Sequence, residues 1–458
     1  MLFHTWIFGI FFLIVYPGYF LLKQTRFKIY WLLLASYVFY GWWNPFYLLL
    51  ILYSTVVDYL VVIGMSRGGR RGVWLSISII NNLGLLGFFK YSGFIAGSLN
   101  VLLAKLGTHY VIPAPGILLP VGISFFVFQS MSYTIDYYRE EIPKEPNFFR
   151  YATFISLFPQ LVAGPIERAK NLLPQLRETP NISRQDIGDG LSLFIVGLFK
   201  KVALADYLSL YVDKVYVNPG QFSALALILA TVAFGWQIYF DFSGYTDMGR
   251  GVARMLGIRL MLNFNNPYLA TGLGDFWKRW HISLSTWFKD YVYIPLGGNR
   301  KGKFSTYRNM FLTMLISGLW HGAAWTFVVW GALHGLARVL TRNLEATAFY
   351  NERVPKFVKR FFVFSFVTFA WIFFRAENLN DAWLIATRIF IFGYTDPACP
   401  LLMLILLLSV WIYQFVYESK VKYILELTPL RVGMVVAMVL YMTLFVPSRN
   451  QPFIYFQF

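Results

Sequence analysis

The sequence predicts an all-α, polytopic integral membrane protein, and three observations carry that expectation. Of its 458 residues, 57% are hydrophobic and only 14% are charged. Apolar runs long enough to cross a bilayer, or nearly so, recur along the whole length. The Lys and Arg behind the net charge of +18 gather in short clusters between those runs, as cytoplasmic loops do. Aromatic residues, at 20%, fit the same class, because Trp and Tyr settle at membrane interfaces and Phe packs in spans. The composition does not point to nucleic acid: no basic face alternates with aromatics in a soluble module. A single cysteine, Cys399, excludes an internal disulfide framework and a thiolate-rich metal site, and no metal is expected. Cys399 lies in a proline-bounded turn and reads as a turn residue.

Taken in order, the first run is about Trp6–Leu22, a retained span rather than a removed signal, followed by Lys23, Arg26 and Lys28. The second, about Ile29–Trp43, ends in Gly41-Trp42-Trp43-Asn44-Pro45, an aromatic interface with a turn signal. The third, about Phe46–Met65, runs into Arg67, Arg70 and Arg71, and the fourth covers about Val73–Phe89. Basic clusters follow the first and third runs and not the second, so the positive-inside rule puts the N-terminus outside and the loops at 23–28 and 67–71 in the cytoplasm. Further runs lie near Ile117–Tyr133, Leu191–Val202, Ala224–Phe240, Phe311–Trp320, Ala323–Leu340, Phe361–Phe374, Leu401–Val416 and Gly433–Val446. About eight to eleven crossings are expected. Tyr151–Gly164, interrupted by Pro159, reads as a re-entrant element, since non-helical backbone at membrane depth must be buried in protein or line a wet cavity. The stretch Asn263–Tyr307 has the weakest membrane signal and accumulates Lys and Arg, so it reads as amphipathic and cytoplasmic. No internal repeat or low-complexity linker is visible, and one domain over 1–458 is expected.

Three of the five histidines, His281, His321 and His334, fall close together in sequence. A polar, titratable ring in a membrane-type sequence needs a reason, because burying it without a partner costs roughly several kcal/mol. Its ordinary pKa of about 6.5 suits histidine to general-base work. His321 stands in Gly318-Leu319-Trp320-His321-Gly322, where the glycines allow backbone or substrate to approach closely. It is the candidate base. His281 is crowded by Trp277, Trp280 and Trp287. An interfacial aromatic belt explains those tryptophans as well as a shared cavity with His321 does. His334, 13 residues beyond His321, would point to another side of a continuous helix at about 100° per residue, and it reads as structural.

Asp241 and Asp247, in Asp241-Phe242-Ser243-Gly244-Tyr245-Thr246-Asp247, are intramembrane acids and hence functional candidates. The bland alternative is pairing with Arg250 or Arg254. The loop Leu296–Lys303 offers a weak phosphate-binding signal. Pro159–Arg168 reads as a rigid turn with an ion-pair-capable Glu167–Arg168.

These motifs come in a fixed order: Asp241–Asp247, then Trp280–Trp287, then Tyr293–Arg300, then Gly318–Gly322. With Ala35–Trp43 and Leu119–Phe125 upstream, the ordered set resembles the membrane-bound O-acyltransferase family, in its bacterial polysaccharide branch. The resemblance implies a ring of tilted transmembrane helices around a funnel or tunnel. It implies that His321 matches the family's essential histidine and His281 the second histidine lining the tunnel. It further implies an acetyl group taken from a cytoplasmic thioester donor, with acetyl-CoA as the expected substrate and no bound cofactor. That group is passed across the bacterial inner membrane for O-acetylation of a cell-envelope polysaccharide such as alginate, often with a separate SGNH-type acetyltransferase outside. D-alanyl transfer, lipid O-acyl transfer and a non-catalytic transporter remain alternatives. The transporter normally expects paired intramembrane charges or inverted repeats, which the sequence does not display.

Overall fold

The apolar runs become helices. In the computed structural model, which describes residues 1–116, 119–162, 164–391, 396–445 and 453–454, all regular structure among the described residues is helical. Six of the described helices are long and apolar enough to cross a membrane: Pro45–Ser66, Arg71–Lys105, Ala224–Met255, Lys356–Arg375, Leu401–Glu418 and Thr428–Phe445. Trp6–Leu22 is apolar but shorter. Most boundaries fall within a few residues of the apolar runs. The main difference is length, because charged turns continue the helices that apolar runs begin. The run Ala224–Phe240 extends to Met255 through the Asp241–Asp247 motif, and Val73–Phe89 passes through a wider π-type turn at Gly87–Tyr91 to reach Lys105. The expected span ends Ile117 and Val446, and Ala163 of the expected re-entrant element, lie outside the described residues.

The chain divides into two compact units, Met1–Phe194 with Met248–Met261, and Ile195–Asp247 with Leu262–Phe458. Of the three chain crossings between them, two fall inside continuous helices, Arg184–Phe199 and Ala224–Met255, and the third, at Met261–Leu262, lies in non-helical chain.

The first unit is held by buried polar chemistry. Asp58, fully buried, accepts hydrogen bonds from Ser78 Oγ (2.6 Å), Asn82 Nδ2 (2.8 Å) and Ser130 Oγ. One carboxylate thereby joins Leu48–Ser66 to Arg71–Leu86 and Ile123–Tyr138. The Tyr40 hydroxyl donates to the Val121 carbonyl (2.8 Å), tying together the two upstream motifs of the family-like set. The segment expected to re-enter is a pair of short helices, Phe148–Ser156 and Phe158–Leu161, broken at Leu157. From Tyr151 to Val162 every residue is buried. The break frees backbone groups that must find partners in a dry interior. Gln129 and Gln160 both donate to the Phe154 carbonyl (2.6 and 2.7 Å), and Phe158 N donates to Ser36 Oγ (3.1 Å). Glu167, also buried, accepts from Asn171 Nδ2 (2.7 Å) and from the backbone of Met261.

In the second unit the Asp241–Asp247 motif is a packing device. A Cβ on Gly244 would lie 2.7 Å from the Gly197 carbonyl oxygen, so glycine lets the two helices cross at backbone distance. That approach puts two lysines of the Lys200–Ala205 turn over the acids. Lys201 Nζ is 2.8 Å from Asp241 and 2.7 Å from Asp206, and Lys200 Nζ is 2.6 Å from Asp247. The acids are thus paired by lysines that come from another helix. Arg254 instead reaches Asp186 (3.3 Å) and Asp189 (2.8 Å) in the first unit.

Candidate active site

The site lies wholly in the second unit and is built on a helical hairpin. Gly302–His321 ends at His321, the chain turns through extended Gly322 and Ala324, and Trp325–Glu345 packs back along it. The crossing is made by glycine. A Cβ on Gly318 would fall 2.3 Å from the Phe327 carbonyl oxygen and 3.0 Å from Gly331 Cα. The glycine before His321 therefore serves helix–helix contact. A methyl group at 318 forces the hairpin apart, and overpacking of this kind typically costs about 1–3 kcal/mol. Gly318→Ala is expected to lower the thermal midpoint and most of the activity while leaving His321 in the chain. Gly9→Ala, where nothing stands within 4 Å of the added carbon, is the control expected to behave as wild type.

His321, at 3% exposure, is caged by rings. Its centroid is 5.0 Å from Trp320, 5.1 Å from Trp330 and 5.3 Å from Phe374, each approached edge-on. His281 is fully buried in the same cluster, 4.6 Å from Phe242 and 6.0 Å from Trp320. The indole of Trp320 is thus the common neighbour of both candidate histidines.

The stretch expected to be amphipathic and cytoplasmic turns a buried apolar face to this core. Trp280, His281, Leu284, Trp287 and Phe288 are all buried, and only its rim is charged. Trp280 packs on Trp371 at 5.1 Å, inside the unit, so the aromatic-belt reading fails for it. Two short helices, Leu273–Arg279 and Ile282–Phe288, meet at His281, whose φ of +43° lies in the left-handed region that histidine tolerates better than most residues. Asn263 holds that turn. Its carbonyl accepts from Ile282 N (2.9 Å), and its Oδ1 accepts from Ser283 N (3.2 Å) and Ser283 Oγ (2.9 Å). Nothing in the sequence marked Asn263, because its partners lie about 20 residues away and carry no pattern.

His334 is the second surprise. The wheel argument that set it apart assumed one continuous helix, and the chain breaks at Gly322. Its ring, fully buried, lies 4.7 Å from Trp330 and 5.1 Å from Trp277. The cage therefore reads His281, Trp320, His321, Trp330, His334, with imidazole and indole alternating.

A cavity of about 630 Å³ opens beside the cage. Thr313, Met314 and Ser317 form part of its wall, and Ser317 is four residues before His321 on the same helix, about 6 Å along the axis. Trp277 lines it and also touches Trp330 and His334. Its rim carries Lys278, Lys289, Arg338, Arg342 and Lys359 against Asp275 and Glu345. Both acids are engaged: Asp275 by Arg279 (2.8 Å), and Glu345 by Arg338 (2.9 Å) and the backbone of Leu273 (2.8 Å). The rim is left cationic. The loop 296–303 contributes none of the lining residues.

The profile of the membrane-bound O-acyltransferase family matches residues 126–380. The chain is 42% identical over 399 residues to the probable alginate O-acetylase AlgI of Pseudomonas aeruginosa, covering 86% of this chain and 75% of that one. It is 38% identical over 417 residues to the peptidoglycan O-acetyltransferase of Helicobacter pylori, covering 83% and 78%. Similarity extends to the teichoic acid D-alanyltransferase of Bacillus subtilis, 27% identical over 270 residues and covering 55% and 67%.

Proposed function

Because the chain belongs to the membrane-bound O-acyltransferase family, a multi-pass membrane enzyme of O-acyl transfer, we propose that it moves acetyl from a cytoplasmic phosphopantetheine thioester, acetyl-CoA, toward a cell-envelope polysaccharide, with His321 as the base. The observation that carries this reading is the cation-rimmed cavity ending one helical turn short of a caged imidazole. Phosphates fit the rim, and a slender thioester arm fits the apolar approach along Met314 and Ser317. In the transfer, an acceptor hydroxyl attacks the thioester carbonyl. The new C–O bond forms, the C–S bond breaks, the hydroxyl proton passes to His321, and the departing thiolate takes it up. His281 shapes the far side of Trp320 and positions the acyl group. The similarity to O-acetylases supports acetyl as the group and a polysaccharide as final acceptor. A partner of SGNH type outside the membrane completes delivery.

The test is ester-linked acetate on each envelope polysaccharide, with and without this protein, and transfer from labelled acetyl-CoA into inverted membrane vesicles. D-alanine esters in place of acetate, or no label transfer, would overturn the assignment of group and donor. Neutralising the rim with Lys278→Gln and Lys289→Gln is expected to raise the KM for acetyl-CoA on the order of 10-fold or more, with kcat nearly unchanged and the defect growing as salt is lowered.

A further inference from the structure

The first unit carries a second basic cavity that the reaction does not use. It encloses about 380 Å³ and is lined by Arg26, Lys28, Arg150 and Arg177, with no acidic residue in its described lining. Glu145, fully buried, is shared between two of these cations: Arg150 Nη1 donates to it at 2.7 Å, and Arg177 donates through Nε (2.9 Å) and Nη2 (2.7 Å). One carboxylate against two guanidiniums leaves a positive charge over. Lys28 stands among them, its ammonium donating to the backbone carbonyl of Glu178, whose carboxylate offsets part of its charge. Arg26 adds a further positive charge, exposed and resting 5.3 Å from the ring of Phe27.

The surroundings say at what level this charge sits. Phe27, Tyr30 and Phe149 stand 51%, 44% and 44% exposed around it, with Tyr30 and Phe149 in edge contact at 4.9 Å. Lys23 caps the ring of Phe20 at 3.7 Å, at the end of the apolar helix Trp6–Leu22. Exposed rings interleaved with Lys and Arg, directly after an apolar helix, mark a membrane–water interface on the cytoplasmic side. Ile29 and Leu176 supply apolar wall in the same cavity. We propose that this cavity is a binding site for the phosphodiester headgroup of an anionic phospholipid, with Arg26, Lys28, Arg150 and Arg177 around the phosphate and one acyl chain leaving past Ile29 and Tyr30. A free phosphate would satisfy the cations but has no use for the ring of exposed aromatics.

Purified full-length protein in a neutral detergent is titrated with short-chain phosphatidylglycerol, short-chain phosphatidylcholine or inorganic phosphate at matched ionic strength, with thermal midpoint and lipid retention in native mass spectrometry as readouts. Phosphatidylglycerol is expected to raise the midpoint and remain bound one to one, and the other two are not. Arg26→Glu with Lys28→Gln spares the Glu145 cluster and should weaken phosphatidylglycerol on the order of 10- to 30-fold. Arg26→Glu alone, at an exposed position, should weaken it less but measurably. Equal response to phosphatidylcholine, or unchanged binding by both variants, overturns the site. An inorganic phosphate response equal to that of the lipid overturns the lipid assignment.

Discussion

His321→Ala is expected to leave the protein inserted and abundant and to reduce acetyl transfer at least ~100-fold, the lower end of what a positioned general base contributes. The ring ends its helix and is surrounded by Trp320, Trp330 and Phe374, so its removal leaves a small void lined by aromatic rings. Abundance by size-exclusion of a tagged protein separates lost chemistry from lost folding. His281→Ala is the informative comparison. A ring that positions the acyl group from beyond Trp320 should raise KM for the donor more than it lowers kcat, and an equal collapse of kcat would make it a second proton carrier. Normal polysaccharide acetylation in the His321 variant would sink the proposed reaction.

Lys201→Met is expected to be the most destabilising single change outside the site. Lys201 is about as buried as a lysine can be, with 2% of its side chain exposed, and it serves Asp241 (3% exposed) and Asp206 (12% exposed) together. Removing the ammonium strands a buried carboxylate, at a cost of about 3–5 kcal/mol. Asp241 also accepts from the backbone of Ile454 at 2.6 Å, so the loss should spread to that contact. Thermal midpoints of Lys201→Met and of Lys201→Met with Asp241→Asn test this: the double variant should recover part of the loss, because the neutral amide no longer needs a counter-charge. Equal midpoints for wild type and Lys201→Met would show that the cluster carries no weight.

Several sequence inferences changed for reasons that can be traced to particular residues. The tryptophans at 280 and 287 were readable as an interfacial belt, because a ring that likes an interface also likes a core; only the packing on Trp371 distinguishes the two for Trp280. The acids at 241 and 247 had arginines at helical spacing on their own helix, and the lysines that pair with them came from another helix that Gly244 admits. The glycine before His321 was rightly singled out, although its close neighbour proved to be backbone of the returning helix. His334 was set aside on a helical wheel that the break at Gly322 invalidates.

By itself, the sequence determined that this is a helical, multi-pass membrane protein, where most of its helices lie, and, through its ordered motifs, its family. Those properties are local or additive: hydropathy over one helix length, charge in the gaps between helices, short patterns kept in order. Tertiary structure alone decided which rings form the cage, that three histidines share it, that Asn263 holds the turn at His281, and which lysines neutralise the buried acids. Each of these depends on contacts between residues distant in sequence. Such contacts are selected by close packing and by the need to satisfy every buried polar group, and neither leaves a periodic trace in the chain.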